Sequence, residues 1–177
     1  KGVGGLYIKD GIKITPLMQG GGHEKKHRSG TENISGIVGF AKAVEISNRK
    51  ETKKMFELRD YFIEKILKTI PNSKLNGAIG YNRLPNNVNI SFMNVEGEAI
   101  GGYLENKGIF VSTGSECMSN TLASSHVLKA LNLTDLEQNS SIRLSLSKYT
   151  TKKEIDYVLK VLPRVIEKLR KLSPLLK

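Results

Sequence analysis

SSIRLSLSKYTTKKEIDYV, residues 140–158, decides the fold. Ile142, Leu144 and Leu146 recur at period two, so a strand here has one apolar face and Arg143 points the other way. Thr151 and Glu154 then form a T-x-x-E capping box at the start of an amphipathic helix. Its apolar stripe is Ile155, Val158, Leu162, Val165, Ile166 and Leu169, and Pro163 predicts a kink. A half-buried strand followed by a one-sided helix calls for helices packed on a sheet.

The segments upstream extend the same pattern. HVLKALNL has helical spacing, IFVS reads as a strand running into VSTGSECMSN (111–120), GEAIGGYLENKG is a short helix ended by Gly108, and VNISF alternates as a half-buried strand should. Farther back, Ile37, Val38, Ala41 and Val44, then Met55, Leu58, Phe62, Ile66 and Ile70, keep i, i+3, i+4 spacing until Pro71-Asn72 stops it. If continuous, residues 34 to 70 make a helix of about 55 Å, long enough to join two bodies. GVGGLYIKDGIKITPL predicts a hairpin turning at Asp10-Gly11. The expected fold is α+β (α/β): helices on a small, mostly antiparallel sheet from about residue 72 onward, joined by a long helix to what precedes it.

Composition narrows the class. The chain has 177 residues, is 38% hydrophobic and contains one cysteine. A single cysteine forms no internal disulfide and offers no zinc spacing, so no metal is expected and a reduced, cytoplasmic setting is. No apolar run is long enough for a membrane span, no signal peptide is visible, and Lys1 in first place suggests a piece of something longer. The net charge of +11 comes from 28 Lys+Arg against 17 Asp+Glu. The lysines are scattered among acidic residues, which argues against a dedicated nucleic-acid face.

Three segments could carry chemistry. In QGGGHEKKHRSGTEN (19–33), glycines allow close backbone approach, and Arg28, Ser29 and Thr31 are donors suited to an anion such as phosphate near a helix start. The alternative is a connector with a helix cap at Thr31 or Asn33. Around Cys117 lie Gly114, Ser115, Ser119 and Asn120, turn-forming neighbours that favour a reactive thiol. His126 could assist as an acid/base group or support the loop, whereas Glu116 would raise the thiol pKa, and on these grounds reactive and inert readings balance. Arg143 offers a rigid fork for a carboxylate, although an arginine on a strand's polar face is more commonly a surface ion pair on an edge strand. His23 and His27 follow glycines that disfavour a helix, so they do not suggest a metal site.

In this order the segments resemble the C-terminal part of a cysteine desulfurase, in the class V aminotransferase branch of the pyridoxal-phosphate fold-type-I superfamily. KGVGGLYI resembles the strand after the cofactor lysine, and GGGHEKKHRSGTEN resembles G-G-G-[QH]-E followed by R-S-G-T. VSTGSECMSN…SSHVLKAL resembles the active-site loop, commonly G-S-A-C, and residues 140–158 resemble S-I-R-[FL]-S-L…T-T-x-x-E-I-D.

The resemblance implies residues 1–45 as the tail of the large cofactor-binding domain with the start of the linking helix, and 46–177 as the small domain with its cysteine loop (111–125). It assigns Cys117 as the nucleophile that carries sulfur as a persulfide, and Arg143 as the residue that binds the α-carboxylate of L-cysteine. Thr31, supported by Arg28, would reach the cofactor phosphate of the other subunit of a homodimer. The sulfur acceptor would be an iron-sulfur scaffold or a tRNA-thiolation protein.

Two departures stand out. Lys1 matches the lysine of Gly-Pro-Lys-Gly and not the cofactor lysine before it, so the chain alone is expected to be inactive. Glu116 replaces the usual alanine. The alternatives are a selenocysteine lyase, another class V relative, or a non-catalytic interaction module for a protein or tRNA.

Overall fold

A computed structural model describes residues 2–47, 49–113 and 125–173, and the chain divides into two compact units, Lys1–Asn48 and Arg49–Lys177.

In the first unit α1 (Ile34–Glu45) follows loops and turns that include a short 3₁₀ turn at Glu24–Lys26. Asn33 caps it, its side-chain oxygen accepting from the Gly36 N–H at 3.1 Å. The expected turn at Asp10-Gly11 is present, closed by the Ile12 N–H donating to the Lys9 carbonyl at 3.1 Å, but no strand ladder forms among residues 2–47. A two-stranded ribbon is marginal without a third strand or a packing partner, and this unit supplies no further strand.

The second unit is built from α2 (Arg49–Thr69), β1 (Ser73–Leu75), β2 (Asn87–Phe92), α3 (Gly97–Glu105), β3 (Ser112–Thr113), α4 (His126–Ala130), α5 (Asp135–Asn139), β4 (Ser141–Ser145) and α6 (Lys152–Leu172). Residues 34–70 therefore form two helices and not one rod. The sheet order is β1-β2-β4-β3, with every neighbouring pair antiparallel. Helices α2, α3 and α6 cover one face. Their Phe62, Ile66, Ile100, Leu104, Leu162 and Ile166 meet Val88, Ile90, Phe92, Ile142 and Leu144 in the core. The period-two reading of residues 140–146 holds: Ile142, Leu144 and Leu146 are buried while Arg143 is exposed.

Local signals explain the element ends. The Thr151–Glu154 capping box forms at the start of α6, which runs through Pro163, and a second box at Thr134 and Glu137 opens α5. Gly108, at φ 72°, closes the turn after α3. Gly97 answers a different need: a Cβ there would lie 2.4 Å from the Ser141 carbonyl oxygen, so only glycine lets α3 begin against the first residue of β4. The IFVS strand shortens to a ladder at Ser112–Thr113.

The 76–87 connection is held by two arginines. Arg59 of α2 is fully buried; its guanidinium donates to the carbonyls of Gly80 (3.0 Å), Arg83 (2.9 Å) and Leu84 (3.0 Å) and to the Asp60 carboxylate. Arg83, also buried, donates to the Ala78 carbonyl, the Asn87 side chain and the Asn76 carbonyl, and burial lowers its pKa.

Candidate functional site

The face of the sheet opposite the core is polar. Because directly opposed side chains of an antiparallel pair share a face, the register places Asn76, Asn89, Arg143 and Ser112 in one row across all four strands. Asn76, just past β1, continues the β1–β2 register through its N–H donating to the Asn89 carbonyl at 3.0 Å.

Arg143 occupies β4, an interior strand, and not the edge strand that would make a surface ion pair its ordinary fate. Its guanidinium donates to the Ser112 hydroxyl at 3.1 Å, and among the described residues it has no ion-pair partner. An exposed, delocalised cation without a protein carboxylate can accept an external one bidentately.

Around this row the polar face is progressively covered. Ser91, fully buried, donates to the Glu137 carbonyl of α5 at 2.6 Å. The Glu137 carboxyl is lowered from 4.5 to about 2, chiefly by its hydrogen bond with Lys74 and then by the Thr134 N–H. α5 is thus anchored over β1 and β2, while Arg143 stays open.

Cys117 and its neighbours Gly114, Ser115, Glu116, Ser119 and Asn120 lie outside the described residues. The described chain stops at Thr113, paired with Ile142, and is described again from Ser125. Ser125 caps α4, and His126 is its exposed first residue.

In the first unit, residues 18–31 form a tight loop. Ser29 ties it together, its N–H donating to the Met18 carbonyl and its hydroxyl to the Gly21 carbonyl at 2.8 Å. Glu24, Lys25 and Lys26 all take left-handed conformations, with φ of 49°, 54° and 67°. Three such non-glycine residues in succession hold strain of the kind found at functional sites. Gly30, at φ 103°, has the Arg28 guanidinium 2.8 Å from where a Cβ would stand. Arg28 and Thr31 are exposed, and the buried His23 Nδ1 has no hydrogen-bond partner among the described residues. The cap left open between Thr31 and Asn33 is Asn33, which leaves the Thr31 hydroxyl free of that task.

The structure joins Arg143 to Ser112 and Asn89 within the second unit; it places Arg28 and Thr31 in the first. Neither Asn89 nor Ser112 stands out in the sequence. They are polar positions of NVNISF and IFVS, and their relation to Arg143 exists only through strand order and register.

Known structures superpose on this chain. A NifS-like protein superposes with a TM-score of 0.77 at 34% identity, covering 92% of this chain and 42% of that one. The NifS-like protein from Rickettsia africae gives 0.71 at 33% identity, over 88% of this chain and 41% of its own. The aminotransferase class-V family matches residues 1–158, and this chain belongs to it. Cysteine desulfurase IscS of Dictyoglomus turgidum is 51% identical over 177 residues, 98% of this chain and 45% of its own length. The Clostridium botulinum (strain Hall) protein of the same name is 48% identical over 99% of this chain and 45% of its own. The chain therefore spans under half the length of these curated relatives. No helix among the described residues is long and apolar enough to cross a membrane.

Proposed function

We propose that this chain is the C-terminal part of a pyridoxal-phosphate-dependent cysteine desulfurase, which converts L-cysteine to L-alanine and leaves sulfur on Cys117 as a persulfide. The observation that carries the reading is Arg143: exposed on an interior strand, steadied by Ser112, and without an ion-pair partner among the described residues. Residues 1–45 belong to the large domain on this reading, and 46–177 to the small one.

Arg143 binds the substrate α-carboxylate and orients the amino acid. The Cys117 thiolate attacks the substrate sulfur; the Cβ–S bond breaks, its electron pair stays with carbon and takes a proton to give alanine, and the new S–S bond is the persulfide. Pyridoxal phosphate, when bound, supplies the electron sink for this bond cleavage. Its phosphate suits the 18–31 loop, where the Arg28 guanidinium and Thr31 hydroxyl are exposed and His23 Nδ1 has no partner among the described residues. Thr31 serves the other subunit of a homodimer. His126 carries a proton or supports the cysteine loop. Cys117 lies four positions after Thr113, a reach of at most about 14 Å from the edge of the Arg143 row. The acceptor of the sulfur is an iron-sulfur scaffold or a tRNA-thiolation protein.

The test uses the full-length protein with pyridoxal phosphate and L-cysteine, followed by mass spectrometry of the Cys117 peptide. A one-sulfur gain that vanishes in Cys117→Ser is expected. No gain from a protein with demonstrably bound cofactor would overturn the reading, and alanine release from selenocysteine alone would replace the substrate.

A further inference from the structure

We propose that Asn89 is a second substrate-binding residue, whose side-chain Nδ2 donates to the same carboxylate that Arg143 takes. The inference rests on the carboxylate role of Arg143 proposed above. Asn89 and Arg143 are directly opposed on β2 and β4, which puts their Cβ atoms about 4.5–5.5 Å apart on the open face. Asn89 is half-buried, and its neighbours Val88 and Ile90 point into the core, so its side chain stays on the polar side.

A directional hydrogen-bond chain fixes which end of the Asn89 amide is presented. The Glu137 backbone carbonyl can only accept, so the Ser91 hydroxyl, 2.6 Å away, spends its proton there. Ser91 Oγ must then accept the 2.8 Å bond from Asn76, which identifies the Asn76 atom as Nδ2. That same Nδ2 donates its second hydrogen to Asn89 at 2.7 Å, so the Asn89 atom is the oxygen. The Asn89 Nδ2 is therefore turned away from Asn76, and it has no hydrogen-bond partner among the described residues.

The arrangement is costly for a purely structural device. Asn76 Oδ1 is buried without a partner among the described residues, an expense that an apolar pair at 76 and 89 would avoid. Arg83, itself buried, further locks Asn76 by donating to its carbonyl. A carboxylate has about four lone-pair sites, two of which an arginine fork fills, so a third, neutral donor from the adjacent strand matches what remains.

The experiment measures binding to the full-length protein loaded with pyridoxal phosphate, titrating L-alanine and ethylamine, which differ in the carboxylate. Asn89→Ala is expected to weaken L-alanine about 10- to 100-fold, as for a lost hydrogen bond to a charged group, and to leave ethylamine unchanged. Asn89→Asp keeps the shape and can still accept from Asn76, but it replaces the donor with a charge that repels the ligand; it should lose at least as much. Equal weakening of both ligands in Asn89→Ala would assign Asn89 to structure and overturn the inference. No weakening of either would do the same. Arg143→Ala separates the two readings. If it selectively weakens L-alanine while the Asn89 variants do not, only the role of Asn89 fails; if it has no selective effect, the carboxylate reading of the whole row fails with it.

Discussion

Replacing Arg59 by Met tests whether the 76–87 connection depends on one buried guanidinium. Met preserves helix propensity in α2 and fills much of the same volume, so the change isolates the polar role. Three carbonyls lose a donor: that of Arg83, whose bond is buried, and those of Gly80 and Leu84, whose bonds are half-buried and which each keep a backbone N–H, from Arg83 and Asn87. Leaving a buried acceptor unsatisfied costs about 1–3 kcal/mol, and the half-buried pair regain some water. Removing a buried charge and keeping a sulfur against Phe56, over which the guanidinium now sits at 4.6 Å, gives back part of the loss. The expected net loss is about 3 kcal/mol, a large share of the 5–15 kcal/mol typical of a whole domain. Urea denaturation should show the midpoint falling at unchanged slope, with faster amide exchange at Asn76, whose N–H bonds to Asn89 across the connection. Arg59→Lys, a point charge without the fork, should recover less than half. A loss below about 1 kcal/mol would refute the reasoning, because it would mean the loop carbonyls hydrate freely.

Two further perturbations address the covering of the polar face. Gly97→Ala places a Cβ 2.4 Å from the Ser141 carbonyl oxygen, backbone that cannot turn aside, so a loss of about 1–3 kcal/mol is expected in thermal denaturation; wild-type stability would show that α3 can shift freely. The Glu137 carboxyl is held at about 2 against an ordinary 4.5, chiefly by its hydrogen bond with Lys74. A depressed acid stabilises the fold fully above the unfolded value, and the contribution disappears as pH falls from about 4.5 toward 2. The wild type should lose stability across that window, and Glu137→Gln should flatten this part of the profile; an unchanged profile would remove the ion pair from the account.

Local signals were legible and long-range ones were not. The alternation of residues 140–146 and the Thr151–Glu154 box lie within a few residues of one another, and both correspond to the structure. Thr134 and Glu137 carry the same T-x-x-E signal, yet α5 has only five residues and no apolar stripe to draw attention to it. IFVS has strand composition, but its pairing partner decides how much of it joins the ladder, which among the described residues comprises Ser112 and Thr113. The hairpin at Asp10-Gly11 has its turn without its ladder, since turn chemistry is local and strand pairing needs neighbours. Within the site, the parity of Arg143 was readable, whereas the row to which it belongs depends on strand order.

Three arginines of the second unit show why composition cannot assign roles. Arg59, Arg83 and Arg143 are equally charged, and each stands beside apolar residues in the sequence. In the fold, Arg59 and Arg83 are buried and spend most of their donors on backbone carbonyls of residues 76–87. Their effect is indirect: they fix residues 76–87, hence Asn76, hence the direction of the Asn89 amide. Arg143 alone of the three stays exposed, with the Ser112 hydroxyl as its one side-chain partner among the described residues. An arginine whose donors are satisfied internally contributes rigidity, and one whose donors are left open beside a rigid row contributes recognition. The order of strands, which brings Asn89 and Ser112 to either side of Arg143, is what turns one of three similar residues into a candidate carboxylate site.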